Sequence, residues 1–286
     1  MRLPTSFQYF VVGAVLLVCA AGLTYYVGNK LLQRANDIAQ ETPPQTYQTA
    51  EGNDCNIAVI DLTGQLWASK ADADAQTATD NSDNISAEEI LGDLEQAKDD
   101  GSILGVVLRV DSGGGSPVGG ELIANALKSL GKPSVALIED EGDSAAYLAS
   151  TGANVIIASP FSDVADIGIT SSYLDQAGSN SQSGETFIQV AAGQYKDVGN
   201  PDAPVTPADQ AYLQGLVNGD YQTFIKEVAQ NRSMSVASVQ TLANGDSLTG
   251  AMAMGTGLID KLGDASTTQQ WFASKLGSSS DSVLCD

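Results

Sequence analysis

The sequence of 286 residues contains no histidine. That absence removes imidazole as a metal ligand, as a proton carrier near neutral pH and as the base of a Ser-His-Asp triad. Basic residues are scarce as well, 13 Lys and Arg against 35 Asp and Glu, for a net charge of −22. A field of that sign repels phosphate backbones, so no nucleic-acid partner is expected. Cysteine occurs at three scattered positions, Cys19, Cys55 and Cys285. Without histidine or a cysteine cluster no metal site is expected. No nucleotide or other cofactor is expected either: the one glycine-rich turn, Asp111-Ser112-Gly113-Gly114-Gly115-Ser116, lacks the Gly-Lys-Ser/Thr ending of a P-loop and is not a dinucleotide fingerprint.

What the chain does have is apolar residues, 43% of the total, enough for a sizeable core. Tyr9 to Val27 is a stretch of nineteen residues without a charge. As a helix it would span about 28 Å, close to the ~30 Å of a bilayer core. Aromatic residues flank both ends, Phe7, Tyr9 and Phe10 before and Tyr25 and Tyr26 after, as in a membrane-spanning helix. An uncleaved single-pass anchor is the expectation, with a cleaved signal peptide and a lipidated Cys19 as alternatives. Residues 30–53 read as a polar stalk with Pro43-Pro44. Cys55 and Cys285 form a candidate disulfide; two free thiols is the other reading. A bridge requires an oxidising, extracytoplasmic compartment.

Beyond the stalk, apolar runs alternate with helical patterns. Strands are expected at Asn56 to Leu62, Ile103 to Val110, Ser134 to Glu139, Asn154 to Ala158 and Glu185 to Val190. Ala71 to Asn84 reads as a solvated loop. Ser86 opens a helix with a capping box to Glu89, and another runs from about Val118 to Leu130, with Gly131 and Pro133 beyond its end. Thr206 and Pro207 start a long helix with an apolar stripe from Leu213 to Val228. Strand, helix, strand in succession predicts an α/β fold with a mainly parallel sheet.

Three motifs carry chemistry. The glycine turn sits between a strand and a helix, where backbone N–H groups and the helix dipole suit a negative oxygen. Ser144, in Gly142-Asp143-Ser144-Ala145-Ala146-Tyr147, stands at a second strand–helix junction. The Gly114 and Ala145 amides together would make a two-donor oxyanion hole. With imidazole absent, lysine is the base that remains for a serine nucleophile, and Lys196 follows downstream. An ordinary lysine has a pKa near ~10.4, so neutrality at pH ~7 costs about 4–5 kcal/mol, which only burial away from carboxylates supplies. Taken singly, each motif has a plain alternative: a tight turn, a helix N-cap and a surface lysine.

In series the motifs resemble the SppA-type signal peptide peptidases, serine–lysine proteases of the ClpP/crotonase fold. The resemblance spans about Asn56 to Gly263. The family's Arg-x-Asn-Ser-Pro-Gly-Gly-Ser resembles Arg109-Val110-Asp111-Ser112-Gly113-Gly114-Gly115-Ser116. Its Ala-Ser-Gly-Gly-Tyr resembles Asp143-Ser144-Ala145-Ala146-Tyr147, and its Gly-x-x-Lys-Asp-x-x-Ser-Pro resembles residues 193–201. Arg232, Thr249-Gly250 and Gly257-Leu258-Ile259-Asp260 also match. The resemblance implies Ser144 as nucleophile, Lys196 as general base, the Gly114 and Ala145 amides as oxyanion donors, and a homo-oligomer acting on leader peptides or other unfolded peptides.

Taken with the apolar run and the polar stretches at either end, the chain divides into residues 1–29 as a cytoplasmic tip and transmembrane anchor, 30–53 as a stalk, 54–268 as the peptidase domain and 269–286 as a C-terminal tail. The catalytic domain would then lie on the extracytoplasmic side of the inner (plasma) membrane. Three positions depart from the pattern. Ala145 and Ala146 replace two glycines, and Gly113 replaces proline. Asp166 stands where the family has a serine that orients the lysine. A carboxylate there favours the charged lysine and opposes its use as a base, so Asp166 is a candidate modulator.

Overall fold

The structure, a computed structural model, describes residues 30, 55–80, 83–277 and 284–285. The expected span Tyr9 to Val27 and most of the stalk lie outside the described residues. Among the described residues no helix is long and apolar enough to cross a membrane.

Among the described residues nine strands form one sheet: β1 (Ile57–Trp67), β2 (Asn84–Ser86), β3 (Gly105–Gly115), β4 (Ser134–Asp143), β5 (Val155–Ala158), β6 (Asp163–Ala165), β7 (Ser247–Thr249), β8 (Lys261–Leu262) and β9 (Leu284–Cys285). Their main path is β2-β1-β3-β4-β5-β8. Every pairing is parallel except β6 with β7. The α/β class with a mainly parallel sheet is therefore as expected from the sequence.

The continuous apolar runs are explained by burial on both faces. Along β1, Ile57 and Val59 join one cluster with Val107, Val135, Leu137, Ile157 and Phe272. The alternate residues Ala58, Ile60 and Leu62 join a larger cluster on the other face. Period-two alternation thus serves two cores at once. Helices Ala87–Asp99, Pro117–Ser129 and Ser144–Ser150 and the C-terminal part of Pro207–Asn231 cover the larger cluster. Helix Ala265–Leu276 covers the smaller one through Phe272.

β1, β3 and β4 are longer than the sequence pattern suggests, and β1 and β4 each change a partner along their length. β4 pairs with β5 through Val135 to Ile138, then with β6 through Glu141 to Asp143. The register shifts between Val110 and Ser112, where β3 runs on into the glycine turn. These extensions carry the ends of β3 and β4 side by side beyond the main sheet.

Four local expectations need correction. Residues 70–80 are a helix, not a loop: alanine favours helix, Ser69 caps it through Asp72, and Lys70 reaches Glu89 at 2.6 Å. Glu185 to Val190 is not a strand. It has β-forming side chains but no partner strand, and Ile188 and Val190 are exposed. In the long helix the stripe is buried only from Phe224 onward, while Leu216 is exposed. Residues 269–286, expected as a tail, include fully buried Phe272 and strand β9, which pairs with the start of β1.

Two ties hold the C-terminal third to the sheet. Arg232, its side chain 8% exposed, pairs with both carboxylate oxygens of Asp260 at 2.8 and 2.9 Å and donates to the Gly257 carbonyl. Asp260 in turn accepts from the Ile156 N–H of β5. Removing the cation leaves a charge without its partner, so Arg232→Ala is expected to lower unfolding free energy by about 3–5 kcal/mol in urea titration. The second tie is a disulfide between Cys55 and Cys285, 230 residues apart in sequence. Closing so long a loop restricts the unfolded chain, and Cys285→Ser is expected to cost about 2–5 kcal/mol. Thiol titration of the denatured, unreduced protein should find no thiol beyond Cys19.

Candidate active site

The site is built where the long strands end. β3 finishes in the glycine turn, and Ser116 caps the following helix by accepting from the Gly119 N–H. Gly114 has φ +99°. A Cβ there would lie 2.8 Å from the Asp143 carbonyl oxygen and from Ser144 Cβ, and 2.9 Å from the Ala145 nitrogen. Only glycine allows this backbone to touch the turn after β4 so closely.

That turn is Asp143-Ser144. Asp143 ends β4 in extended conformation, and the short helix begins at Ser144 with φ +51°. A non-glycine residue in the left-handed region costs about 1–2 kcal/mol. It appears here because the chain must reverse from strand to helix within one residue. The result presents Ser144 to a cleft of about 610 Å³, whose walls include Gly115, Asp166, Ile169, Val217 and Tyr221. Two more strained residues, Ala165 at φ +89° and Asp166 at φ +40°, stand alongside, because Ala165 is in register with Asp143 across β4 and β6.

The structure distributes the expected site residues unevenly. Ser144, Ala145 and Gly114 come together, and Asp166 shares the cleft with Ser144. The Gly114 N–H is bonded to Ser112 Oγ at 3.1 Å, a buried contact, whereas Gly115 lines the cleft. Gly114 can donate to an oxyanion only by giving up that bond. Lys196 is exposed and is not among the residues lining the cleft. Its segment is tied instead to the long helix, where Tyr195 stacks on Tyr212 with ring centroids 4.1 Å apart.

The electrostatics are acidic. Asp143 is buried, accepts from Ser247 Oγ through Oδ2, and has no hydrogen-bond partner for Oδ1. Burial pushes its carboxyl up to about 6, and Asp166, Asp163 and Glu141 push the same way against the Ser247 bond. Burial, then Asp246, raises the Asp166 carboxyl above its ordinary range. Sequence reasoning missed Ser247 and Asp246, which reach the site through the β6–β7 pairing, and Val217 and Tyr221, which it assigned to the core stripe. The nearest signal was Thr249-Gly250, two residues past Ser247.

A carboxyl with a raised folded-state pKa binds more protons folded than unfolded. Asp143 therefore stabilises the fold fully below about pH 4, and that contribution is lost as pH rises through about 6. Asp143→Asn keeps an acceptor for Ser247 and removes the charge. It should be more stable than the parent at pH 8, by about 1–3 kcal/mol, with the advantage gone below about pH 4. Paired urea titrations across that range measure the difference.

The model of peptidase family S49 matches residues 126–278, more than half of the 286 residues. A candidate protease of Methanocaldococcus jannaschii is 36% identical over 176 residues, covering 61% of this chain and 56% of that protein. A candidate protease of Synechocystis sp. is 30% identical over 185 residues, covering 63% and 66%. Protease 4 of Salmonella typhi is 29% identical over 231 residues, covering 80% of this chain and 35% of that one. The match thus spans between about a third and two thirds of these relatives' own length. With the family model lying across the Ser144 turn, the Lys196 segment and the Arg232–Asp260 pair, the chain belongs to peptidase family S49.

Proposed function

We propose that this chain is a serine endopeptidase that cleaves leader (signal) peptides or other unfolded peptides, with Ser144 as nucleophile. The observation that carries the reading is the strained Ser144 turn, which opens into a cleft and abuts a glycine-rich backbone. Such a turn exposes the hydroxyl and sets backbone N–H groups around the position where a tetrahedral oxyanion would form. Membership of the S49 family and relatives named as proteases support it.

Lys196 is the proposed base. The exposure of Lys196 in a single chain means that something else must bring it to a serine and dry it. Assembly of several copies is the proposed means. Exposed apolar residues on the same stretch, Leu174, Ile188 and Val190, favour that arrangement. The apolar segment Tyr9 to Val27 supports a single-pass anchor in the inner (plasma) membrane. The Cys55–Cys285 bridge fits a domain on the extracytoplasmic side.

A second reading, a catalytically impaired homologue serving as a scaffold or adaptor at the membrane, is favoured by one observation: Asp166 lines the cleft and Lys196 does not. Ser144→Ala and Lys196→Ala should each reduce casein hydrolysis by at least about a thousandfold, as loss of a nucleophile or its base does. Mixing the two inactive variants should restore part of the activity if one copy's lysine serves another's serine. Undiminished hydrolysis in either variant overturns the assignment. Absence of hydrolysis and of Ser144 acylation in the parent chain establishes the scaffold reading.

A further inference from the structure

Among the described residues the Ser144 cleft has one charged side chain in its wall, Asp166. The rest of its lining is apolar or neutral, including Ile169, Val217, Asn218 and Tyr221. Asp166 is half-buried, and among the described residues neither a hydrogen-bond donor nor a cation is paired with it. Its surroundings make that isolation costly. Asp246 repels it from one side, and Asp143 is close enough to interact from another. A carboxylate in such a position is stabilised by a cation brought beside it. Among the described residues no Lys or Arg lines the cleft to supply one.

We propose that Asp166 makes the Ser144 cleft selective for peptides carrying a lysine or arginine side chain next to the cleaved bond. The inference rests on the peptidase reading above and gives it a substrate class. The apolar walls at Ile169 and Val217 suit the methylene stem of such a side chain, with the charged head at the carboxylate. The chain's net charge of −22 draws basic peptides to the molecule in the first place. A substrate cation that takes up Asp166 also neutralises the charge that opposes a proton-free Lys196.

The test uses the full chain and an internally quenched peptide in which one lysine is exchanged, position by position, for its neutral acetyl-lysine form. Asp166→Asn is the variant, because asparagine tolerates the left-handed backbone at that position. The parent is expected to favour the lysine form at one position by about five- to tenfold in kcat/KM, as for a partly desolvated ion pair. Asp166→Asn should bring that ratio close to one, and high salt should lower it in the parent. A ratio near one in the parent at every position overturns the proposal, as does a ratio unchanged in Asp166→Asn. Equal loss on both peptides with a moved pH profile also overturns it, since Asp166 would then act on Lys196. Binding of the same peptides to Ser144→Ala reads the selectivity without chemistry. Preferential binding of the lysine form, with no hydrolysis by the parent, supports this inference and sinks the peptidase reading alone.

Discussion

The site depends on one contact, that between the end of β3 and the turn that follows β4. Gly114 lies where any side chain would strike Asp143, Ser144 or Ala145. Its missing Cβ lets two parallel strands converge and forces the strand-to-helix reversal into a single residue, Ser144. The strain at that residue, about 1–2 kcal/mol, persists only because the surroundings over-determine it. They do so here by burial. Every residue of the short helix after Ser144 is buried, and the Tyr147 hydroxyl is bonded to the Leu258 carbonyl at 2.9 Å. Leu258 belongs to the segment held by Arg232 and Asp260. The serine turn is thus locked from below by the C-terminal third of the chain.

Around that rigid turn the charges are arranged against a simple lysine base. Burial holds both Asp143 and Asp166 above the ordinary carboxylate range, with Asp166 adding to the rise at Asp143 and Asp246 to that at Asp166. Each would welcome a cation, and an amine brought among them is favoured in its protonated form. A serine–lysine mechanism therefore needs these carboxylates to be protonated, paired elsewhere or turned away when the lysine acts. Protonation and pairing are both within reach at Asp143, whose carboxyl burial pushes up to about 6 and which already accepts from Ser247. The polar shell of this site and the Ser144 turn are one structural unit, joined by the β4–β6–β7 pairings.

Much of the scaffold was legible in the sequence because its signals are local. The buried strands announce themselves as unbroken apolar runs, and the helices at Ala87 and Pro207 begin with the caps read for them, Ser86 boxed with Glu89 and Thr206 ahead of Pro207. Ser144 and Gly114 were legible for the same reason, as strand–turn–helix junctions. Misreadings fell where burial, not pattern, decides. Glu185 to Val190 has the composition of a strand without a neighbour to pair with, and Leu216 sits on an apolar stripe whose half of the helix has no core beneath it. Helix 70–80 was missed because its polar residues hide a strong alanine content and a cap at Ser69.

The sequence by itself determined the α/β class, the absence of an imidazole base, the acidic balance and the order of the glycine turn, the Ser144 junction and the Lys196 segment. Those properties are set by residue type and by spacings of a few positions. Tertiary structure alone decided that Gly115 rather than Gly114 faces the cleft, that Ser247 and Asp246 reach Asp143 and Asp166, and that Lys196 stands outside. Each of those outcomes joins segments dozens of residues apart, and their meeting is fixed by strand register and by which faces find a core, quantities that no local stretch of chain encodes.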